Sequence, residues 1–185
     1  FRKALERMTW KNPNPYNSEA YYDLGLTLFY QGRYKEAYDA FFKATWSNEQ
    51  QEMSFYFLAA IAARKGAYPL ALELVEKGLI KNSHNIKARG LKAAILRKMG
   101  RTEAEKAWLA ENKKVDRFDY VSGYEEILLA PEEEQEEKKL ALKAQMRNFH
   151  QNFIQAAIDY MEGGFYEEAL GILNLCDAKW PMLYY

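Results

Sequence analysis

Apolar residues recur along the chain at helical spacing, and the helices they define come in pairs. Tyr21, Leu24, Leu28 and Phe29 share one stripe, and beyond Gly32 a second stripe holds Ala37, Phe41 and Ala44. Spacings of three and four residues bring such positions onto one helix face. The division by a glycine recurs at Gly66, Gly100 and Gly164, which open the stretches GAYPLALELV, GRTEAEKAWL and GFYEEALGIL, as Gly32 opens GRYKEAYDAF. The first two gaps, 66 − 32 and 100 − 66, are both 34 residues, and the third, 164 − 100, is 64. Self-similarity at such a period marks an array of repeated supersecondary units. Each glycine is expected to close one helix in the left-handed conformation and open a tight turn. Small residues at Ala37, Ala71 and Ala169 let the two helices of a hairpin approach closely. Phe41, Val75, Leu109 and Leu173 then fill the gap to the neighbouring hairpin.

The residues at these positions resemble the tetratricopeptide repeat (TPR), whose pattern runs W-x2-L-G-x2-Y, G-x-Y-x2-A, F-x2-A, P. Unit 18–51 supplies Tyr21, Leu24, Gly25, Leu28, Gly32, Tyr34, Ala37, Phe41 and Ala44, with Glu49 in place of the closing proline. Unit 52–85 supplies Phe55, Leu58, Ala59, Ala62, Gly66, Tyr68, Ala71 and Val75, with Gly78 at the later small position. Unit 86–119 keeps Ala93, Leu96, Gly100 and Leu109. It places Arg89 and Lys92 where apolar residues belong and Glu105 where alanine belongs. Unit 150–183 has Phe153, Ala156, Ala157, Tyr160, Gly164, Tyr166, Ala169, Leu173, Cys176 and Pro181. The resemblance implies an all-α fold, a right-handed α-α superhelix built as a TPR-like solenoid of antiparallel helix hairpins. Such folds serve many functions.

The remaining stretches divide the chain further. Residues 1–17 read as the trailing helix of a truncated repeat closed by Pro15, and 184–185 as the start of another. A solenoid normally ends in a polar cap, so the apolar Met182–Tyr185 suggests a portion of a larger protein. Residues 120–149 interrupt the period and are read as an atypical helical pair, the first helix near Phe118–Leu129. Pro131 opens the second, since proline is tolerated in a first turn. No glycine or proline follows before Met161, so one long helix from Pro131 to about Met161 is expected. Glu132, Glu133, Glu134, Glu136 and Glu137 crowd its start, where acids complement the helix dipole, and Glu134 can pair with Lys138.

Composition then narrows the function. Hydrophobic residues make up 49%, enough for a continuous core. Lys and Arg total 26, as do Asp and Glu, and this balance argues against a nucleic-acid or anionic-membrane binder. No apolar run is long enough to span a bilayer. The single cysteine, Cys176, allows no internal disulfide, which suits the cytoplasm. It reads as a small core residue of the last unit. His84 and His150 are far apart, so no metal cluster is expected, and His84 reads as part of a capping turn. No phosphate loop, dinucleotide fingerprint, metalloprotease helix or nucleophile elbow is present. Paired acids such as Glu167 and Glu168 read as exposed. Neither an enzymatic function nor a cofactor is expected.

What the TPR resemblance leaves is the face lined by the first helix of each hairpin. By unit position its candidate residues are Tyr22, Leu26, Phe29 and Tyr30, then Met53, Tyr56 and Arg64, then Lys87, Arg97 and Lys98, and finally Ile154, Ile158 and Met161. This face would begin aromatic and become basic, and tyrosine and arginine often carry interface energy. Some TPR domains clamp a C-terminal carboxylate. Here the matching positions are Tyr22, Leu26, Phe57, Lys87 and Leu91, of which only Lys87 conforms. The stretches NPYNSEAYYDLGLTLFYQGRYKEAYDAF and YEEALGILNLCDAKWPMLYY further resemble the TPR region of large bacterial proteins with a mutarotase-like β-sandwich domain. The leading expectation is a protein–protein interaction or scaffolding module that takes a protein or peptide ligand, other domains of the same parent chain included. An accessory domain of a carbohydrate-active protein, with Tyr22, Tyr30 and Tyr56 stacking on sugar, is a second reading. A peptide-sensing regulatory domain is a third.

Overall fold

The computed structural model describes residues 1–11 and 17–177. Pro15, Pro181 and the stretch Met182–Tyr185, singled out above, lie outside the described residues. The described residues are α-helical, with no strand among them. The chain divides into two units, Phe1–Ser83 and His84–Tyr185. The first contains α1 (Arg2–Thr9), α2 (Glu19–Tyr30), α3 (Tyr34–Ala44), α4 (Asn48–Arg64) and α5 (Tyr68–Lys81). The second contains α6 (Ile86–Lys98), α7 (Thr102–Val115), α8 (Tyr120–Leu129), α9 (Glu132–Gln145), α10 (His150–Gly163) and α11 (Tyr166–Leu173).

The four spaced glycines make the same turn. Gly32, Gly66, Gly100 and Gly164 have φ of 74°, 72°, 67° and 81°. At each, the glycine N–H bonds the carbonyl three residues back and the next N–H reaches the carbonyl five back. Examples are Gly32 to Phe29 at 2.9 Å, Arg33 to Leu28 at 2.9 Å and Phe165 to Tyr160 at 3.0 Å. This satisfies carbonyls that a helix end otherwise leaves unpaired. The helix that follows therefore starts in a fixed direction, back along its predecessor.

In the first unit, α2 packs on α3, α3 on α4, and α4 on α5. The crossings are made by small residues. Ala37 and Ala71 are fully buried, as are Phe41 and Val75 beside them. Gly25 of α2 leaves room for the Phe41 ring, since a Cβ there would lie 2.7 Å from two of its carbons. Phe41 in turn stacks on Phe57, with centroids 4.8 Å apart and planes within 5°. This seals the junction of α2, α3 and α4 with aromatic surface.

The second unit is less regular. Within it α6 meets α7, α8 and α10, while α8 pairs with α9 and α10 with α11. Asn85 caps α6 by accepting from Ala88 N–H at 3.0 Å, and Asp119 caps α8 by accepting from Ser122 N–H at 3.0 Å. His84, beside the first cap, is exposed. Gly90 sits against Val121, with no space for a side chain between α6 and α8.

Three expectations are corrected here. No single helix runs from Pro131 to Met161. α9 ends at Gln145 and α10 starts at His150, with Arg147 and Asn148 at φ 55° and 47°. Asn148 N–H bonds Lys143 O at 3.3 Å, so the turn copies the glycine turns without a glycine. Asparagine tolerates the left-handed region, and its carboxamide takes Asp177 N–H at 3.3 Å. Cys176 lies beyond the end of α11 and is half-buried, because the helix stops at Leu173. In α11 the buried large residue is Ile172, and Leu173 is half-exposed.

Candidate functional site

In the first unit the first-helix face is an aromatic cluster with one guanidinium. Tyr30, at the end of α2, is 67% exposed and meets Phe29 edge-on at 5.4 Å. Phe29 is buried and touches the rings of Tyr34 at 5.4 Å and Phe57 at 5.2 Å, so it packs as core. Arg64, at the end of α4, lies over the Tyr34 ring at 4.5 Å and donates to its hydroxyl at 2.5 Å. Cations favour the negative face of such rings. Tyr22 is half-buried beside Phe41 at 5.8 Å and Phe57 at 6.3 Å, and Leu26 and Met53 are also half-buried. Tyr56 differs. At 1% exposure, with its ring edge on Phe57 at 5.2 Å, it offers no open surface for a ligand or a stacked sugar. Its i, i+4 neighbour Ala60 is buried as well, because α4 is apolar around most of its circumference.

The basic residues of the second unit are placed quite differently. Lys87 on α6 reaches Asp159 at 3.0 Å and Glu162 at 3.2 Å, both on α10. Arg97, also on α6, donates from Nε to Glu125 of α8 at 2.6 Å and from Nη2 to Glu168 at 2.7 Å, on α11. Lys98 reaches the same Glu168 at 2.6 Å. Tyr160 of α10 donates to Glu125 at 2.9 Å. Three cations thus face four carboxylates, and the positive charge expected along this face is neutralised from within the unit. Glu168 is accordingly buried rather than exposed as its sequence neighbourhood suggested, while Glu167 is exposed. Ile158 and Met161 of α10 are partly exposed, at 39% and 46%.

Burial sets the electrostatics. It raises the Glu125 carboxyl above its ordinary value, against the pull of Arg97. It likewise raises Asp159 against the pull of Lys87. Burial works against the charge on Lys87, yet Asp159 and Glu162 outweigh it and hold the ammonium above its usual value. Tyr160 is pushed well up, first by burial and then by Glu125, so its hydroxyl remains a donor. The acids of this network are what residue patterning missed. Two of them sit on buried stripes: Glu125 four residues after Val121, and Glu168 between Phe165 and Ile172. A carboxylate on an apolar stripe is the signal that could have revealed them.

Helix hairpins, each turned by a left-handed glycine, define an α-helical repeat protein. No family model matches the chain. Among solved structures, the chain is similar to YrrB, described as a TPR protein with an unusual peptide-binding site. The TM-score is 0.62 at 17% identity over 97% of this chain and 95% of that one. It is similar to the MamA protein at TM-score 0.60 and 14% identity, over 86% of this chain and 90% of that one. It is also similar to TTC0263, a thermophilic TPR protein of Thermus thermophilus. There the TM-score is 0.57 at 18% identity, over 90% and 95% of the two chains. The fold is therefore that of the TPR proteins. Among the described residues no helix is long and apolar enough to cross a membrane.

Proposed function

We propose that this chain is a non-catalytic binding module whose ligand is a protein segment bearing aromatic and aliphatic side chains. The ligand rests on the first-helix face of the first unit, against Tyr22, Leu26, Tyr30 and Met53. The observation that carries this reading is the contrast between the two units. Tyr30 exposes two thirds of its surface on a firm aromatic bed, whereas Lys87, Arg97 and Lys98 already have carboxylate partners. Rigid tyrosines presented by a scaffold give contact area at low entropic cost. An acidic C-terminus would find Lys87, Arg97 and Lys98 already paired with carboxylates. The peptide-binding site described for YrrB supports a peptide as the ligand. The resemblance of the two stretches quoted above to large bacterial proteins supports a role as the helical part of such a parent.

The test is peptide selection by display on the folded chain, followed by calorimetry on Tyr30→Ala and Arg97→Met. Selected peptides should be rich in aromatic and aliphatic residues. They should bind Tyr30→Ala about tenfold or more weakly, as expected for an interface residue worth about 1–2 kcal/mol. Equal binding to Tyr30→Ala, or a uniformly acidic set of selected peptides, would refute the proposal.

A further inference from the structure

Glu105 departs from the repeat at the helix crossing itself. It stands five residues after Gly100, where the other hairpins place Ala37, Ala71 and Ala169 after their own glycines. Yet it is as buried as they are, 1% exposed, in line with Leu109 and Asn112. Its carboxyl makes no hydrogen bond or ion pair among the described residues, and its Oε1 is sealed from solvent. The charged groups that act on it are Glu125 from α8 and Arg97 from α6. Behind them stand Glu168 of α11 with Lys98 of α6, and Tyr160 of α10.

Arg97 is already committed to Glu125 and Glu168, and Lys98 to Glu168. A charge on Glu105 would be a third negative group against two cations, in a place water does not reach. An isolated buried carboxylate keeps its proton in preference to bearing that cost. Burial, reinforced by Glu125 and opposed by Arg97, pushes this carboxyl up to about 7 from 4.5.

We propose that Glu105 is a proton-operated latch. Protonated, it lies inside and α7 packs against α6 and α8; ionised, it draws α7 open toward water. The packed state binds the proton more tightly than the opened state, where the carboxyl regains its ordinary value. Opening is therefore hardest at and below pH 4.5. It becomes easier as pH rises, by about tenfold per pH unit, until it levels near pH 7. The latch is separate from the ligand face of the first unit, so it stands or falls independently of the function proposed above.

Hydrogen exchange of the α7 amides, corrected for intrinsic rates between pH 5 and 8, tests this on the whole chain. In the native protein their protection should fall by tenfold or more across that range. In Glu105→Gln, which keeps the shape without the charge, it should change less than threefold. If Glu105→Gln fails to fold by circular dichroism, Glu105→Ala restores the residue of the other hairpins and serves the same comparison. Carbon-13 NMR titration of the Glu105 carboxyl gives a second readout, with a midpoint expected near neutrality. Identical pH profiles in the native and variant chains, or a carboxyl midpoint below 5, would overturn the proposal.

Discussion

Arg97 offers the sharpest test of whether the basic residues of the second unit serve a ligand or the fold. Replacing it with methionine keeps the stem but removes the guanidinium that holds Glu125 at 2.6 Å and Glu168 at 2.7 Å. Glu125 has no exposed surface and Glu168 little, so neither can simply turn to water. Removing one partner of a buried pair typically costs about 3–5 kcal/mol, because the other charge is stranded. Two features favour the lower end. Lys98 still reaches Glu168 at 2.6 Å, and Tyr160 still donates to Glu125 at 2.9 Å. A loss of about 3 kcal/mol corresponds to a fall of more than about 10 °C in the melting temperature of a unit this size. Urea denaturation followed by circular dichroism, with thermal melts alongside, reads this directly. The companion Arg97→Met with Glu125→Leu removes the stranded acid, and Val121 O remains 3.3 Å from the Tyr160 hydroxyl. The double variant should therefore recover much of the loss. If Arg97→Met alone lies within about 1 kcal/mol of the native chain, the ion pairs do not hold the unit together. The residue would then be open to a ligand.

Other consequences are simpler. Gly25→Ala should destabilise the first unit by about 1–2 kcal/mol. The helix gains about 1 kcal/mol of propensity, but the new methyl meets a Phe41 ring pinned by Phe57. Urea midpoints at unchanged slope check it, and a stabilised variant would contradict the close approach. Ala71→Trp should cost at least about 1–3 kcal/mol by overfilling a fully buried crossing of α4 and α5, measured as a lowered melting temperature. Gly66→Ala meets nothing within 4 Å, so its cost should come from the backbone alone, about 1–2 kcal/mol at φ 72°. Asparagine at the same position should recover part of that cost, measured by the same denaturation.

The hairpins were legible because their signals are local. A glycine that must turn left-handed, an alanine five residues later and a large apolar residue four beyond that all lie within one stretch of sequence. The break between α9 and α10 was not, because the left-handed work is done by Arg147 and Asn148, in a run with neither glycine nor proline. The ion network was hidden for a different reason. Arg97 finds its partners 28 and 71 residues away, and no periodicity links such positions. Position in the repeat placed Lys87, Arg97 and Lys98 on the first helix of their hairpin. Charge balance could be judged only once α8, α10 and α11 were seen to bring acids to the same spot. Tyr56 shows the converse limit. Its unit position marks it for the ligand face, yet the apolar girth of α4 draws it inside.

The interiors of the two units differ in kind, and this gives them opposite thermal temperaments. Around Phe41 and Phe57 the cohesion comes from expelled water, which weakens as the solution is cooled. Around Glu125 it comes from charges withdrawn from water, a withdrawal that grows less costly as the solution is warmed. A chain assembled this way has no single temperature at which all of it is firmest. Cold loosens its aromatic half first.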